Sequence, residues 1–408
     1  MKLREWNARL HGLVVFRSLL DDPVVARLVD LTDRMEAGAP GYGPVCDAAA
    51  QFEAALFEHT TNWGSYLSAA VLEAETVCVR QAASGTLAPA LQTALDSELA
   101  FLQALCGLTL DELLTAAGSA TGQAQELAFL PRWETSGIDL PAAYAQRMSE
   151  VGKKGYGMFA KHHVFTVENG QLVPVKYPDP QRLSELPGYE KEREKVIANT
   201  KALLAGMPAN NVLLYGDRGT GKSSTIHAIL NAYKEQGLRM IEIPKSAVEE
   251  LSLIREYLAD SPMKFIIYID DLSFDSQDNA FTELKAALEG GLSACQPNTL
   301  IYATSNRRHL IKENFSDRED DVNKNDTRQE QLSLSDRFGL TITFINPDKK
   351  DYLDIVEKIA ADRGLQVDAQ RLDAAAEQWA VRRGGRSPRC ARQFIDHVES
   401  ALRRGKEW

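Results

Sequence analysis

Gly216-Asp217-Arg218-Gly219-Thr220-Gly221-Lys222-Ser223 is the stretch of this 408-residue chain that decides its fold. It fits the pattern G-x-x-x-x-G-K-[ST], in which glycines let backbone N–H groups surround a phosphate and the lysine places its charge on the β- and γ-phosphates. The apolar run Val212–Tyr215 predicts a strand before it, and the run from Ser224 predicts a helix whose positive end faces the loop. We therefore predict a P-loop at Gly216–Ser224 that binds ATP, with the Ser223 hydroxyl as a ligand of Mg²⁺.

A second apolar run, Phe265–Ile269, ends in two acidic residues. It predicts a buried strand that delivers Asp270 and Asp271 at its C-terminal end, where parallel sheets collect their ligands. We expect Asp270 to hold Mg²⁺ and Asp271 to orient or deprotonate the attacking water. The alternative is an ordinary strand that ends in an Asp turn.

Three further segments carry candidate side chains for ATP hydrolysis. The run Thr299–Asn306 predicts a buried strand that ends in polar residues and presents an amide to the attacking water. Asn306 is our first choice for this amide position and Thr304 the reserve. Arg337 precedes the last predicted strand, where it is a candidate to stabilise charge on a neighbouring subunit's γ-phosphate. Arg389, at the start of the last helical pattern, is a candidate to reach the nucleotide in the same chain. The alternatives are a turn cap for Asn306, a surface salt bridge for Arg337 and a solvated side chain for Arg389.

The order of helical and strand patterns predicts four segments. Residues 1–150 predict an α-helical domain of five or six helices, and residues 151–182 a linker with a β-hairpin around Asn169-Gly170. Strands and helices alternate over 183–346, which predicts an α/β core with a parallel sheet, and residues 347–408 predict a C-terminal helical lid. The strand candidates are Val212–Tyr215, Arg239–Ile243, Phe265–Ile269, Thr299–Thr304 and Leu340–Phe344. A break near Gly118–Gly122 and an exposed polar loop at Lys312–Gln331 are also predicted.

Together these motifs resemble the AAA+ ATPase superfamily over roughly residues 183–403. More narrowly, they resemble an uncharacterised bacterial family of AAA+ ATP-binding proteins with an N-terminal helical extension. The strings that carry this narrower resemblance are Leu186–Tyr189, Ala209–Gly216, Asp270–Phe274 and Leu334–Leu340. The resemblance implies an α/β AAA+ P-loop core with a five-stranded parallel sheet, ATP with Mg²⁺, and self-association into a ring or filament of the hexamer type.

The resemblance also implies roles for individual residues. Arg337 would be the finger that acts on a neighbouring subunit, Asn306 the first sensor and Arg389 the second. The segment Leu186–Tyr189 would lie beside the adenine, with Tyr189 as a nucleotide-binding residue. Most of the superfamily has Glu where this chain has Asp271, and the shorter side chain withdraws the carboxylate by roughly 1 Å, an error that can cost about a hundredfold in rate. Slow hydrolysis is therefore expected.

The function that follows is ATP hydrolysis used to remodel, load or regulate a protein partner. The alternative is an ATP-dependent switch or scaffold with little hydrolysis, for which the helical domain would dock a protein. A small-molecule kinase is disfavoured, because a kinase needs neither an arginine like Arg337 nor a helical lid of this size.

Composition and charge limit the partners. The chain carries a net charge of −11, and residues 1–150 hold 9 Lys+Arg against 19 Asp+Glu, so nucleic acid is possible but not supported by charge. No apolar stretch approaches the roughly 20 residues that cross a bilayer, and no secretory signal pattern opens the sequence. Five widely spaced cysteines predict reduced thiols. We expect a cytoplasmic protein that does not enter a membrane.

Overall fold

The computed structural model of this chain describes residues 3–37, 43–82, 87–116, 129–273, 279–289, 297–306 and 337–408. It divides into two units. The first consists of Met1–Lys161 with Asp260–Pro262, and the second of His162–Ala259 with Met263–Trp408. The predicted break at Gly118–Gly122, the predicted loop at Lys312–Gln331 and the string Leu334–Asp336 lie outside the described residues.

The first unit is α-helical. Its helices are α1 (Leu3–His11), α2 (Pro23–Glu36), α3 (Gly43–Phe57), α4 (Trp63–Glu73), α5 (Val77–Ala82), α6 (Pro89–Cys106), α7 (Leu110–Ala116), α8 (Leu140–Ser149), α9 (Val151–Lys154) and α10 (Met158–Lys161). Eight of these lie in the described part of residues 1–150, so the expected count of five or six was too low. One reason is that Ala74 leaves the helical backbone region with ψ 137°. The Thr76 hydroxyl then accepts a hydrogen bond from Val79 N, so α5 starts anew.

The core of the first unit is rich in aromatic side chains. Phe52 packs edge-on against Trp63 and Trp133 with ring centroids 5.3 and 4.9 Å apart. Each indole N–H is satisfied by a backbone carbonyl, at Leu105 and Leu108 respectively. No single helix in the described ranges is long and apolar enough to cross a membrane. Within those ranges only α6 and α7 taken together have the length and apolar composition of a membrane span, and they are bent by 110° where they meet.

The second unit is built on one sheet. Its strands are β1 (Val164–Glu168), β2 (Gln171–Pro174), β3 (Val212–Gly216), β4 (Leu238–Glu242), β5 (Lys264–Ile269), β6 (Thr299–Ser305) and β7 (Leu340–Phe344). The strand order is β2-β1-β4-β5-β6-β3-β7. Only β1 and β2 pair in antiparallel fashion, and the other neighbours are parallel. The C-terminal ends of β5, β6 and β3 therefore lie side by side.

Among the described residues, the sheet has seven strands where five were expected. The five predicted core strands are present, but the hairpin assigned to the linker adds two more, because Val164 pairs with Met240 at the start of a parallel β1–β4 ladder. Asn169 and Gly170, with φ of 52° and 77°, form its turn. An unpaired β4 would expose a row of N–H and C=O groups at the sheet edge, and the hairpin covers that row.

Helices cover the sheet and form the lid. They are α11 (Glu190–Leu204), α12 (Lys222–Tyr233), α13 (Leu251–Leu258), α14 (Asn279–Glu289), α15 (Lys349–Asp362), α16 (Ala369–Arg382) and α17 (Pro388–Arg403). The last three share one apolar core around Tyr352 and Phe394. Each begins at a side-chain cap, from Asp348, Asp368 and Ser387 in turn. The predicted α/β class, with a mostly parallel sheet around the P-loop segment, C-terminal helices and an N-terminal helical region, is confirmed apart from the number of strands.

Candidate nucleotide site

The loop between β3 and α12 depends on its glycines. Gly216 has φ 134°, and a Cβ at this position would lie 2.0 Å from the Phe344 carbonyl oxygen on β7. Gly219 and Gly221 adopt φ of 79° and 91°, a region that side chains disfavour. The loop thus wraps tightly before α12 begins at Lys222.

Asp217 anchors this loop to the end of β7. Its backbone N–H donates to the Phe344 carbonyl at 2.8 Å, and its carboxylate accepts from Asn346 N at 2.7 Å. The Thr220 hydroxyl donates back to the Asp217 carbonyl at 2.8 Å. These hydrogen bonds hold the loop against the residues at the end of β7, so the Asp217 side chain stabilises the conformation of the loop.

Lys222 points into the loop. Its side chain is buried, and its Nζ donates to the carbonyls of Gly216 and Asp217 at 2.9 and 2.7 Å and to Asn306 Oδ1 at 3.2 Å. Burial lowers the pKa of the ammonium group, while Asp217 and nearby carboxylates act in the opposite direction. A positive charge is therefore held at the centre of the loop.

Asp270 faces the loop across a short gap. Ser223 Oγ donates to Asp270 Oδ1 at 2.9 Å, and Tyr268 and Thr304 donate their hydroxyls to the same oxygen. Burial alone would raise the pKa of Asp270, but the hydrogen bonds from Thr304, Tyr268 and Ser223 outweigh it and lower that pKa. The carboxylate is thus held ionised beside the first turn of α12.

Asp271 and Asn306 contact each other. Asp271 sits in the left-handed backbone region with φ 48°, and its N–H donates to Thr304 Oγ1 at 3.0 Å. Asn306 Nδ2 donates to Asp271 Oδ1 at 2.6 Å, while its oxygen accepts from Lys222. The Thr304 hydroxyl is bonded to Asp270 and Asp271, whereas Asn306 contacts Asp271 and Lys222.

The lid closes one side of the site. Arg389 N donates to the Gly219 carbonyl at 3.1 Å, and Arg389 lines a cavity of about 530 Å³ together with Arg218, Ser224 and the rest of the loop from Gly219. Leu186 lines the same cavity.

The cavity also brings in two arginines besides Arg389: Arg392, one of the three arginines from which Arg389 was chosen, and Arg193, to which the sequence assigned no role. Arg392 lies one turn after Arg389 in the arginine-rich segment that opens α17, and it donates to Gln181 Oε1 at 3.1 Å. Arg193, on α11, is only 7% exposed, and burial lowers its pKa. No motif surrounds Arg193 in the sequence, and only the packing of α11 against the cavity reveals it.

Tyr189 lies outside the phosphate-loop cavity. It stacks on Phe344 with ring centroids 5.1 Å apart, and its hydroxyl donates to the Ile345 carbonyl at 2.6 Å. It lines a neighbouring cavity of about 610 Å³, and Pro187 contributes to both cavities.

Arg337 lies far from the loop of its own chain. Leu340 at the start of β7 pairs with Val212 at the start of β3, whereas the loop follows Gly216 at the other end of that strand. A strand of five residues at about 3.3 Å each separates its N-terminal and C-terminal ends by roughly 13–16 Å. Arg337 lies before the N-terminal end of β7 and the loop follows the C-terminal end of β3, so the two are at opposite ends of these strands.

The known proteins and families that match this chain match part of its length. A family profile described as "Protein of unknown function (DUF815)" matches residues 159–402. No curated protein matches the chain. The solved structures it is similar to include the RuvB Holliday junction branch migration motor of Thermotoga maritima, with 21% identity over 55% of this chain and a TM-score of 0.38. AMPPCP-bound DnaA from Aquifex aeolicus is similar at 17% identity over 55% of this chain and a TM-score of 0.38.

The match to solved structures is partial in both directions, since this chain covers 65% of that RuvB chain and 67% of that DnaA chain. The family profile, in contrast, spans the hairpin, the sheet, the P-loop and the lid, and so takes in more than half of the sequence. The narrower resemblance, to an uncharacterised family, is confirmed by that match. The chain belongs to the DUF815 family.

Proposed function

We propose that this protein binds ATP with Mg²⁺ at Gly216–Ser224 and hydrolyses it to remodel, load or regulate a protein partner. The observation that carries the proposal is the 2.9 Å hydrogen bond from Ser223 Oγ to Asp270 Oδ1. It joins the hydroxyl and the carboxylate that a P-loop NTPase uses to hold its metal, although they are 47 residues apart in the chain.

The chemistry of these groups fits a triphosphate with Mg²⁺. Hard oxygen donors such as Ser223 and Asp270 suit Mg²⁺, which takes few protein ligands and keeps several waters. The glycine loop at a helix N-terminus suits a phosphate, and Lys222 is already held by carbonyl oxygens at its centre. When bound, Mg²⁺ would supply neutralisation of charge on the phosphates.

For hydrolysis, we assign Asp271 and Asn306 to the attacking water and Arg389 to the phosphates. The Asn306–Asp271 contact of 2.6 Å supports a joint role, because a water held by both would be oriented by an amide and a carboxylate. Arg389 is assigned to the phosphates because it lines the cavity and its backbone N–H donates to the Gly219 carbonyl of the loop.

The test of nucleotide binding is Lys222→Ala. We expect loss of binding of a fluorescent ATP analogue, because the variant removes the charge at the centre of the loop. Lys201→Ala, at an exposed position on α11, is the control and keeps wild-type affinity. Unchanged affinity of Lys222→Ala for ATP would refute the site.

A second candidate, an ATP-dependent switch with little hydrolysis, is favoured by the short Asp271 side chain and its bond to Asn306. Asp271→Glu separates the two candidates. If reach limits the rate, the longer side chain raises steady-state phosphate release, and Asp271→Asn lowers it while ATP binding persists. Turnover that stays negligible in wild type and Asp271→Glu, with or without a protein partner, favours the switch.

We also propose that copies of the chain assemble so that Arg337 serves a neighbour's site. Support comes from its position before the N-terminal end of β7, at the other end of the strands from its own loop, which favours action on a neighbour's nucleotide. Arg337→Ala should bind ATP normally yet hydrolyse it poorly. Mixing it with Lys222→Ala should restore part of the activity, because each copy supplies what the other lacks. Mixtures that show only the summed activity of the two variants would contradict the proposal.

A further inference from the structure

Asp270 Oδ1 is surrounded by hydroxyl groups, and one of them comes from a residue to which the sequence assigned no role. Tyr268 OH donates to it at 2.7 Å from β5, Ser223 Oγ at 2.9 Å from α12, and Thr304 Oγ1 from β6. A carboxylate oxygen offers about two lone-pair positions. Oδ1 is therefore fully engaged, and Oδ2 is the oxygen left for another ligand.

Tyr268 is held rigidly behind this carboxylate. Its side chain is fully buried, and its ring meets His227 of α12 edge-on with centroids 5.5 Å apart. Tyr268 precedes Asp270 by two residues, which places both side chains on the same face of the strand.

We propose that Tyr268 is a positioning residue for the metal: with Thr304 it holds Asp270 Oδ1 and thereby directs Oδ2 towards Mg²⁺. The inference rests on the proposed function, because it assigns the geometry of the same site. Ser223 is itself a proposed metal ligand, so its hydroxyl would be shared with the metal, whereas the Tyr268 and Thr304 hydroxyls donate to Oδ1 without being proposed metal ligands. Loss of such outer hydrogen-bond partners typically weakens metal affinity about 10–100-fold.

The test is Tyr268→Phe in the full chain, with binding of mant-ATP measured in EDTA and across a Mg²⁺ titration. We expect unchanged affinity in EDTA and a roughly tenfold higher Mg²⁺ concentration at half-effect, because only the metal-dependent part of binding uses Asp270. The matched control is Tyr302→Phe. Tyr302 is also fully buried and pairs in register with Tyr268, but its hydroxyl contacts Asn199 and Thr200 instead of the site.

The outcomes separate the inference from the proposed function. A wild-type chain that binds no mant-ATP would refute the function itself. If wild type binds mant-ATP and Tyr268→Phe has the same Mg²⁺ midpoint as wild type, the inference is overturned and the function stands. The same holds if the Mg²⁺ midpoint of Tyr302→Phe is shifted as much as that of Tyr268→Phe. Should Tyr268→Phe fail to fold, Thr304→Val removes the other hydroxyl that donates to Oδ1 without being a proposed metal ligand. A normal Mg²⁺ midpoint in that variant would overturn the inference as well.

Discussion

Replacing Glu53 with glutamine tests whether a buried carboxylate sets the pH dependence of stability in the first unit. Glu53 lies on α3 and is 2% exposed, and within the described residues neither of its carboxylate oxygens has a hydrogen-bond partner. Burial raises the pKa of this carboxyl from 4.5 to about 7, and the nearby Arg132 only partly opposes the rise. The folded protein thus keeps a proton on Glu53 at pH values where the unfolded chain has released it.

The sign of the effect follows from proton binding. Between pH 4.5 and about 7 the folded state holds more protons than the unfolded state, so stability falls as the pH rises. A rise in pKa of this size amounts to roughly 3 kcal/mol in total, of which about 2–3 kcal/mol falls between pH 5 and pH 8. Glu53→Gln cannot ionise, so this part of the pH dependence disappears.

The assay is urea unfolding at pH 5 and pH 8, with hydrogen exchange of peptides from Gly43–Phe57 to localise the effect. The free energy of unfolding of Glu53→Gln minus that of wild type should be larger at pH 8 than at pH 5, by about 2–3 kcal/mol. Glu58→Gln, an exposed position just beyond α3, is the control and should follow wild type. Equal pH dependence in wild type and Glu53→Gln would refute the reasoning.

Two further substitutions test the loop and the lid. Gly216→Ala should abolish binding of an ATP analogue, because the new Cβ would lie 2.0 Å from the Phe344 carbonyl oxygen. The control is Gly364→Ala, where the added Cβ meets nothing within 4 Å, and it should bind the analogue normally. Equal binding by both variants would contradict this account. Asp348→Ala removes the cap that accepts from Asp351 N at 2.8 Å, so urea unfolding should show a loss of about 1 kcal/mol, and Asp348→Asn should lose less. If the alanine variant were as stable as wild type, the cap would be unimportant.

Much of the second unit could be predicted because its signals are local. The strand at Leu340–Phe344 has the predicted bounds, and the P-loop lies where its glycines require. Parallel strands end at one edge, so the meeting of Ser223 with Asp270 follows from the order of the strands.

What the sequence missed depends on contacts that are distant in the chain. The hairpin around Asn169-Gly170 could be recognised, but its pairing with Leu238–Glu242 leaves no mark in either segment. Arg193 reads as one charge among many on a polar helix, and Tyr268 as one more apolar strand residue. Their positions become clear only when α11 and β5 are packed.

The backbone hydrogen bond from Arg389 N to Gly219 has a mechanical consequence. The first turn of α17 is hydrogen-bonded to the phosphate loop through main-chain atoms. Any movement of the loop when a nucleotide binds or leaves would therefore also move the lid. Exchange of the arginine side chain removes its charge but leaves this linkage in place. Motion of the lid and chemistry at its arginine are thus separable, and variants at Arg389 would alter the second without breaking the first.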